Sequence, residues 1–356
     1  MKRTILAAAT MLCAAGIAAA ASSVTVYGIV DAGVVRESGG AAGGATKLTS
    51  GIGTGSRLGF KGTEDLGGGL SAVFLLENGF QADTGALGQG GLLFGRQAFV
   101  GLQGQFGTVT VGRQYTPQYL TVVLADPFGS GFAGDTKNLM AATGNGTSRM
   151  DNAVKYVSPV LRGWTAEAVY APGEVSGDSA AGRQFGGALA WNAGALQLRL
   201  GHHNRNNDTA VLKNTSNAVN TVLAATYDFG VAKAHFAYGR NKGLNSSLLR
   251  NTANPYGYAV APAASSDSRD VLLGATVPYG PHTLMASAIR KDDRGPAAQD
   301  AQQYALGYRY TLSKRTDVYA VVAHIVNHNG AGYTVGSSIE GGTGNRAVDL
   351  GIRHAF

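Results

Sequence analysis

The sequence predicts an all-β protein, an antiparallel barrel of sixteen strands that crosses a membrane. Three observations indicate this fold: apolar side chains alternate with polar ones, short turns alternate with long loops, and the last strand continues to the final residue. A period of two places successive side chains on opposite faces of a sheet, so each alternating stretch has one apolar and one polar face.

The carboxyl-terminal strand shows this alternation without a break. Val348, Leu350 and Phe356 share one parity, whereas Asp349 and Arg353 take the other. Chain ends are usually poorly ordered, so a strand that continues to a terminal aromatic residue needs a pairing partner. A closed barrel provides one, because its last strand must pair with its first to leave no open edge.

The same alternation recurs in the middle of the chain. Leu196, Leu198 and Leu200 alternate with polar or small residues, and Leu58 and Phe60 do the same. One face of large apolar residues and one face of Gly, Arg, Gln and Ser are typical of a barrel with lipid outside and water inside. A soluble barrel would reverse this arrangement.

Turn-forming residues divide the chain into strands. Seven short turns are expected at 64–69, 103–107, 158–163, 192–194, 228–230, 278–281 and 312–314. Eight longer polar segments are expected at 36–52, 82–91, 115–148, 171–184, 203–219, 240–268, 291–301 and 328–345. These connections join sixteen strands, with short turns at one end and long loops at the other, as in outer-membrane barrels.

The third of the long loops differs from the others. Between Tyr115 and Ser148 no alternation is sustained, and the segment contains Asp126-Pro127-Phe128-Gly129 and Gly134-Asp135-Thr136. A loop of this length in a compact fold usually serves a function. In a wide barrel such a loop is expected to fold inward and narrow the opening.

The amino-terminal residues have the three parts of a secretory signal peptide. Lys2 and Arg3 precede an apolar run, which ends in small residues at Ala21. We predict cleavage after Ala21, so that 1–21 is removed and 22–356 forms one barrel domain. A retained anchor is the alternative, but the apolar run is barely long enough to span a bilayer. Because Cys13 is the only cysteine, the mature chain has no disulfide.

Composition excludes several classes of protein. The chain has 29 Lys and Arg residues, and the loss of two with the signal peptide leaves 27 against 22 acidic residues, a scattered net charge of +5. This excess is too small to suggest nucleic acid as a partner, but it favours anions in a pore. No apolar run after the signal peptide is long enough for a membrane helix, so any crossing is made by strands.

Six stretches carry a resemblance to a known family. They are Ser23–Gly33, Ser56–Leu70, Phe94–Leu102, Gly112–Tyr115, Asp151–Tyr156 and Gly351–Phe356. The chain resembles the trimeric general porins of Gram-negative outer membranes, in particular the beta-proteobacterial type. The resemblance implies a sixteen-stranded barrel, a homotrimer, a third loop folded into the lumen and passive diffusion of small hydrophilic solutes and ions.

The resemblance also implies a pore constriction, in which basic residues of the wall face acids of the third loop. The implied wall residues are Arg57, Arg96, Arg113 and Arg149, the implied loop acids are Asp126 and Asp135, and Lys61, Glu77 and Lys155 are further lumen candidates. Related third loops have an acid between Pro and Phe-Gly, whereas here Phe128 follows Pro127 directly. Four basic against two acidic candidates predict mild anion preference.

The carboxyl terminus and the surface imply further partners. Phe356 is implied as the signal that the outer-membrane barrel assembly machinery recognises. Outer-membrane lipid and lipopolysaccharide are the expected surroundings of the barrel.

Other functions have weaker support in the sequence. The glycine-rich run Gly51–Gly55 lacks the spacing of a phosphate-binding loop. His202 and His203 are adjacent on a strand and point to opposite faces, so they do not predict a metal site. No catalytic set and no cofactor are predicted. A substrate-selective channel on the same barrel remains the alternative to a general one; an enzyme or adhesin on a barrel scaffold, or a soluble β-protein, fits less well.

Overall fold

The computed structural model describes residues 23–141, 148–213 and 216–356, so the predicted signal peptide lies outside the described residues. The strands are β1 Ser23–Gly40, β2 Gly43–Ser50, β3 Arg57–Gly67, β4 Leu70–Gly79, β5 Gln97–Gly104, β6 Gly107–Tyr115, β7 Arg149–Val157, β8 Trp164–Ala171, β9 Gln184–Ala193, β10 Leu196–Arg205, β11 Ala218–Asp228, β12 Lys233–Ser247, β13 Ser265–Tyr279, β14 His282–Asp293, β15 Ala301–Thr311, β16 Thr316–Asn327 and β17 Arg346–Ala355. Helix α1 spans Pro117–Ala125, and a 3₁₀ helix spans Thr136–Asn138. Within these ranges, no helix is both long and apolar enough to cross a membrane.

Antiparallel neighbours from β3 to β17 form a continuous sheet that β1 closes into a barrel. The first part of β1 pairs with β3 up to Ile29, and its later part pairs with β2 from Ala32 onward. β2 and β3 therefore occupy one position in the barrel, interrupted at 51–56. The predicted count of sixteen positions is confirmed, and the seventeenth strand results from this interruption.

The barrel closes at the carboxyl terminus. Ile29 lies opposite Ala355, and Gly28 and Phe356 exchange two backbone hydrogen bonds of 3.1 and 3.0 Å. A Cβ on Gly28 would lie 2.2 Å from Cζ of Phe356, so the absence of a side chain there makes room for the aromatic ring. The prediction that the last strand meets the first is confirmed.

The predicted turns and most of the loops agree with the strand ends, but the first loop does not. The stretch 36–52 was expected to be a loop, whereas β1 continues to Gly40 and β2 begins at Gly43. Polar side chains stabilise this hairpin: Arg36 donates to Thr46 at 3.0 Å, and the Lys47 ammonium lies 2.8 Å from the Glu37 carboxylate. Polarity alone does not distinguish such cross-strand pairs from a loop.

The outer face of the barrel is apolar, as the alternation predicts. In the single chain, large side chains are exposed along the outside of strands throughout the barrel. Examples are Val24, Val26, Val100, Leu223, Leu273, Leu306, Leu350 and Ile352. Their neighbours of opposite parity face inward, and Asp349, between the exposed Val348 and Leu350, is fully buried. The assignment of the two parities of β17 is confirmed.

The inner face is divided into two walls. We call the inner face of β3–β7, together with Arg96 directly before β5, the cationic wall, because Arg57, Arg113 and Arg149 also lie on it. The inner face of β13–β17, called the packed wall, carries buried apolar residues such as Leu272 and Ile325. On the packed wall, apolar groups of the 116–141 segment cover the strands and shield these inward-facing apolar residues from water.

Candidate functional site

The segment 116–141 begins with a helix that packs against the inner face of β9–β12. Thr116 caps α1, since its hydroxyl accepts from the backbone N–H of Tyr119 at 3.1 Å, and Pro117 stands in the first turn. A Cβ on Gly201 would lie 2.3 Å from Oγ1 of Thr121. Glycine on the strand thus lets the helix approach the wall closely.

Beyond the helix, the segment is attached to the packed wall by hydrogen bonds and aromatic packing. The backbone N–H of Ala133 donates to Asp349 at 2.6 Å, and Asn138 donates to Gln303 at 2.9 Å. The ring of Phe132 meets Tyr319 edge to face, with 4.8 Å between the ring centroids. These contacts join the segment to β15, β16 and β17 of the packed wall.

Asp126 organises the loop instead of facing a channel. Its carboxylate accepts backbone N–H groups of Phe128 at 2.8 Å and of Ser130 and Thr136 at 3.0 Å. Burial, and after it the neighbouring Asp135 carboxylate, raises the pKa of Asp126 to about 7. Asp126 therefore differs from the expectation of an acid that faces the arginines.

Asp135 is likewise turned into the loop. It caps the 3₁₀ helix through the backbone N–H of Lys137 at 2.9 Å. Its carboxylate also lies 3.2 Å from the Lys137 ammonium and 3.4 Å from the Arg250 guanidinium. Burial lowers the pKa of Lys137, and the Asp135 charge opposes that shift. Asp135, one of the two expected loop acids, is thus paired with Lys137 and Arg250, two cations that were not identified from the sequence.

Two of the four predicted arginines bond one tyrosine, and a third lines the same cavity. Arg96 and Arg149 each donate to the phenol oxygen of Tyr115 at 2.8 Å. Arg96 also forms a 2.7 Å ion pair with Glu77, one of the predicted lumen candidates, and both side chains are buried. Arg57 donates to Oγ1 of Thr54 at 2.7 Å. The structure thus brings Arg57, Arg96 and Arg149 together with Glu77.

Arg113 is held apart from this group. Its Nε donates to the carbonyl of Gly95 at 2.8 Å, and its guanidinium forms an ion pair with the exposed Asp151. The register of β6 shifts between Gly112 and Gln114, which changes the direction of the intervening side chain. Arg113 still lines the same cavity as the other three arginines.

That cavity has a volume of about 880 Å³ and lies between the cationic wall and the loops. Six cations line it, and no carboxylate does among the residues that the structure describes. The cations are Arg57, Arg96, Arg113, Lys137, Arg149 and Arg250. Lys137 and Arg250 stand on separate loops, and only the folded chain brings them to the same cavity.

A second cavity of about 700 Å³ lies closer to the short turns. Its lining includes Lys61 and Lys155, the other predicted lumen cations. Lys155 lies 3.1 Å from the carboxylate of Glu167, which also binds Arg199 at 2.8 Å. Tyr115, together with Leu120, lines both cavities and marks the boundary between them.

The described part of the chain holds no group of three or more His, Cys, Asp or Glu side chains arranged to bind a metal. The site consists of fixed cations and a tyrosine around an open space. Such an arrangement attracts and orients passing anions by its field and requires no bond to be made or broken.

This geometry defines a membrane channel, and comparisons with known proteins identify its family. A sequence profile of Gram-negative porins matches residues 6–330. The chain is 32% identical to an outer membrane porin protein of Bordetella pertussis, and 34% identical to outer membrane porin protein 32 of Delftia acidovorans, with 100% of both chains covered each time. An anion-selective porin from Comamonas acidovorans superimposes with a TM-score of 0.77 at 29% identity, over 94% of this chain and 100% of that one.

The chain belongs to the Gram-negative porins. It is an outer-membrane protein that forms a channel for passive diffusion, and it is not an enzyme.

Proposed function

We propose that this channel prefers anions and that its narrowest part lies between the cationic wall and the 116–141 segment. One observation carries the proposal: six cations and no carboxylate line the larger cavity within the described residues. The nearby acids Glu77 and Asp135 are buried and paired with cations of the same site. A solute in the cavity therefore meets guanidinium and ammonium groups first.

The contacts of the 116–141 segment support its role as the third loop of a constriction. Its hydrogen bonds to Asp349 and Gln303 attach it to β17 and β15 of the packed wall and not to the strands that carry the arginines. The lining of the larger cavity combines Arg57 and Arg96 with Tyr119 and Lys137 of this segment. The passage is therefore bounded by the cationic wall on one side and by this segment on the other.

The expected preference is moderate. A unit charge about 4 Å from an ion in water contributes about 1 kcal/mol, which corresponds to about a fivefold change in a permeability ratio. Salt screens charges over about 10 Å at 0.1 M ionic strength, so the preference should weaken as the salt concentration rises. A change of about fivefold in the permeability ratio is what we expect of a general channel that prefers anions, and it is smaller than the effect of a site that binds one anion tightly.

The reversal potential of the purified protein in a planar bilayer tests the proposal. With a KCl gradient across the bilayer, we expect a potential of the sign that chloride preference produces. Potassium preference would contradict the proposal. Saturable block of the conductance by one solute would instead favour the alternative of a substrate-selective channel.

We also propose that three copies of the chain assemble in the membrane. The apolar residues exposed on the outside of β1 and β17, such as Val24, Val26 and Leu350, support a contact surface near the closure of the barrel. Three equal closing steps for each insertion in single-channel recordings would agree with a trimer of open pores. Single closing steps throughout would contradict it.

Two processing steps belong to the same proposal. The predicted signal peptide is removed after Ala21, and the barrel assembly machinery recognises Phe356 before the strand pairs with Gly28. Outer-membrane lipid and lipopolysaccharide then surround the exposed apolar face. Deletion of Phe356 should reduce the amount of assembled protein more than the conductance of each assembled pore; the reverse result would contradict this role.

A further inference from the structure

We propose that Tyr115 controls two properties of the channel separately: its ring limits the size of a passing solute, and its phenol oxygen positions Arg96 and Arg149 for ion selection. The inference rests on the proposed function, because it concerns the same passage. It assigns the control of that passage to a neutral side chain at its boundary.

The position of the ring supports the control of size. Tyr115 and Leu120 line both the larger and the smaller cavity, so a solute that moves from one to the other passes these two side chains. The ring of Tyr115 stacks on that of Tyr119, with 5.0 Å between the centroids and 24° between the planes. Tyr119 is held in turn by α1, which packs against the opposite strands, so the ring cannot swing aside freely.

The hydrogen bonds of the phenol oxygen support the control of charge. Arg96 and Arg149 approach this single atom from two directions, each at 2.8 Å. Both guanidinium groups remain protonated and repel each other, so a shared acceptor between them fixes their separation. The Arg149 guanidinium also lies 4.5 Å from the centre of the Tyr115 ring. One tyrosine therefore orients two of the six lining cations.

Tyr115→Phe removes the shared acceptor and keeps the ring. We expect the chloride-to-potassium permeability ratio to fall by about twofold, because the two guanidinium groups lose their fixed geometry, while the size limit for neutral solutes changes less than it does when the ring itself is removed. Tyr119→Phe is the matched control: its hydroxyl lies 3.4 Å from Ser130 and bonds neither arginine. It should change the ratio less than Tyr115→Phe does.

Tyr115→Ala and Leu120→Ala test the ring. Both enlarge the boundary between the cavities, so both should admit larger neutral sugars in liposome-swelling assays than the wild type admits. Leu120→Ala leaves the phenol oxygen in place and should keep the wild-type permeability ratio within the error of measurement, whereas Tyr115→Ala should lower it. Tyr115→Phe, Tyr115→Ala and Leu120→Ala together therefore separate the control of solute size from the control of ion preference.

The outcomes distinguish this inference from the proposed function. Neutral sugars report size without regard to charge, so the role of the ring is tested even if the wild type shows no anion preference, a result by which the proposed function fails. A permeability ratio that Tyr115→Phe leaves unchanged, or that Tyr119→Phe lowers equally, overturns the positioning role. Unchanged sugar permeation in both alanine variants overturns the role of the ring.

Discussion

The cationic wall and the packed wall are built from the same kind of alternating strand, but their inner faces have different roles. On the packed wall, Leu272, Ile289 and Ile325 are buried beneath the 116–141 segment. On the cationic wall, Arg57 and Arg149 border open space. The packed wall holds the loop in place, and the cationic wall acts on the solute.

This difference shows that strand parity alone does not describe the interior of a barrel. Parity tells which side chains point inward, whereas the loop decides which of them meet water. One ion pair of the packed wall follows the same rule, because Lys291 and Asp270 are fully buried and lie 2.8 Å apart, whereas the partly exposed Arg353 is paired with Asp317. A charge contributes to selectivity only where the loop leaves it uncovered.

The largest effect is expected when the cationic wall loses a charge whose partner remains. Arg96→Gln removes one cation and leaves Glu77 without its 2.7 Å partner, whereas Arg57→Gln removes a cation that has no carboxylate partner among the described residues. Arg96→Gln should therefore lower the chloride-to-potassium permeability ratio by about fivefold or more from the wild-type value. Arg57→Gln should lower this ratio less.

The second substitution Glu77→Gln serves as the control for this prediction. The Arg96→Gln/Glu77→Gln protein should recover much of the lost preference, because the unpaired carboxylate is gone. Equal reversal potentials for the two single variants would show that Glu77 does not act on the passage.

A smaller but measurable effect is expected on the packed wall. A Cβ on Gly274 would lie 2.3 Å from Cγ of Pro127, a rigid ring, so Gly274→Ala should push the loop from the wall. We expect the free energy of unfolding in detergent to fall by about 1–3 kcal/mol, the usual cost of overpacking. The measurement is the denaturant midpoint, followed by circular dichroism.

Gly239→Ala is the comparable substitution on the adjacent strand. Its added methyl would lie 3.2 Å from the flexible end of Met140, which can move, so the loss should be smaller. If Gly239→Ala destabilised the protein as much as Gly274→Ala, close approach of the loop would not explain the glycine at 274.

A third effect concerns a contact between the last long loop and β2. Glu340 pairs with Lys47 and accepts from Oγ1 of Thr49 at 2.6 Å, next to Ser338 and Ile339, which line the larger cavity. Glu340→Ala should free this stretch and raise the single-channel conductance and its noise. Thr49→Val, which removes only the uncharged bond, should have a weaker effect; an unchanged conductance in Glu340→Ala would show that the stretch is held by other contacts.

The smallest effect is a dependence on pH that originates in the loop. Because the pKa of Asp126 is raised to about 7, its carboxyl is neutral in acid and gains a negative charge as the pH rises through neutrality. Anion preference should therefore decrease modestly between pH 5 and about 8, since the 116–141 segment gains a negative charge beside the Asp135 carboxylate. In Asp126→Asn this dependence should be lost, and its persistence would assign it to another group.

Much of the fold could be predicted from the sequence, because alternation and turn residues are local signals. The end of β6 at Tyr115 and the start of β7 at Arg149 agree with the predicted limits of the third loop. The interruption between β2 and β3 was not predicted, since Gly51–Ser56 differs little from a loop end. Pairing across the barrel, and not composition, reveals that both pieces belong to one position.

The site was predictable only in part. Arg57, Arg96 and Arg149 were implied by the family resemblance, and Arg57 and Arg149 stand at the first positions of β3 and β7. Asp126 was expected to face these arginines. An aspartate side chain can instead accept hydrogen bonds from nearby backbone N–H groups, and the sequence does not show which of the two arrangements occurs. Arg250 was missed because it is distant in sequence from every other member of the cavity.

The most direct test of the account compares the two walls in one experiment. The reversal potential in a KCl gradient is measured for the wild type, for a protein with Arg57, Arg96 and Arg149 all changed to Gln, and for Arg353→Gln on the packed wall, where Asp317 lies 2.5 Å from the guanidinium. We predict that the triple variant loses the chloride preference and that Arg353→Gln largely keeps it. A triple variant as anion-selective as the wild type would contradict the claim that the cationic wall selects the ion.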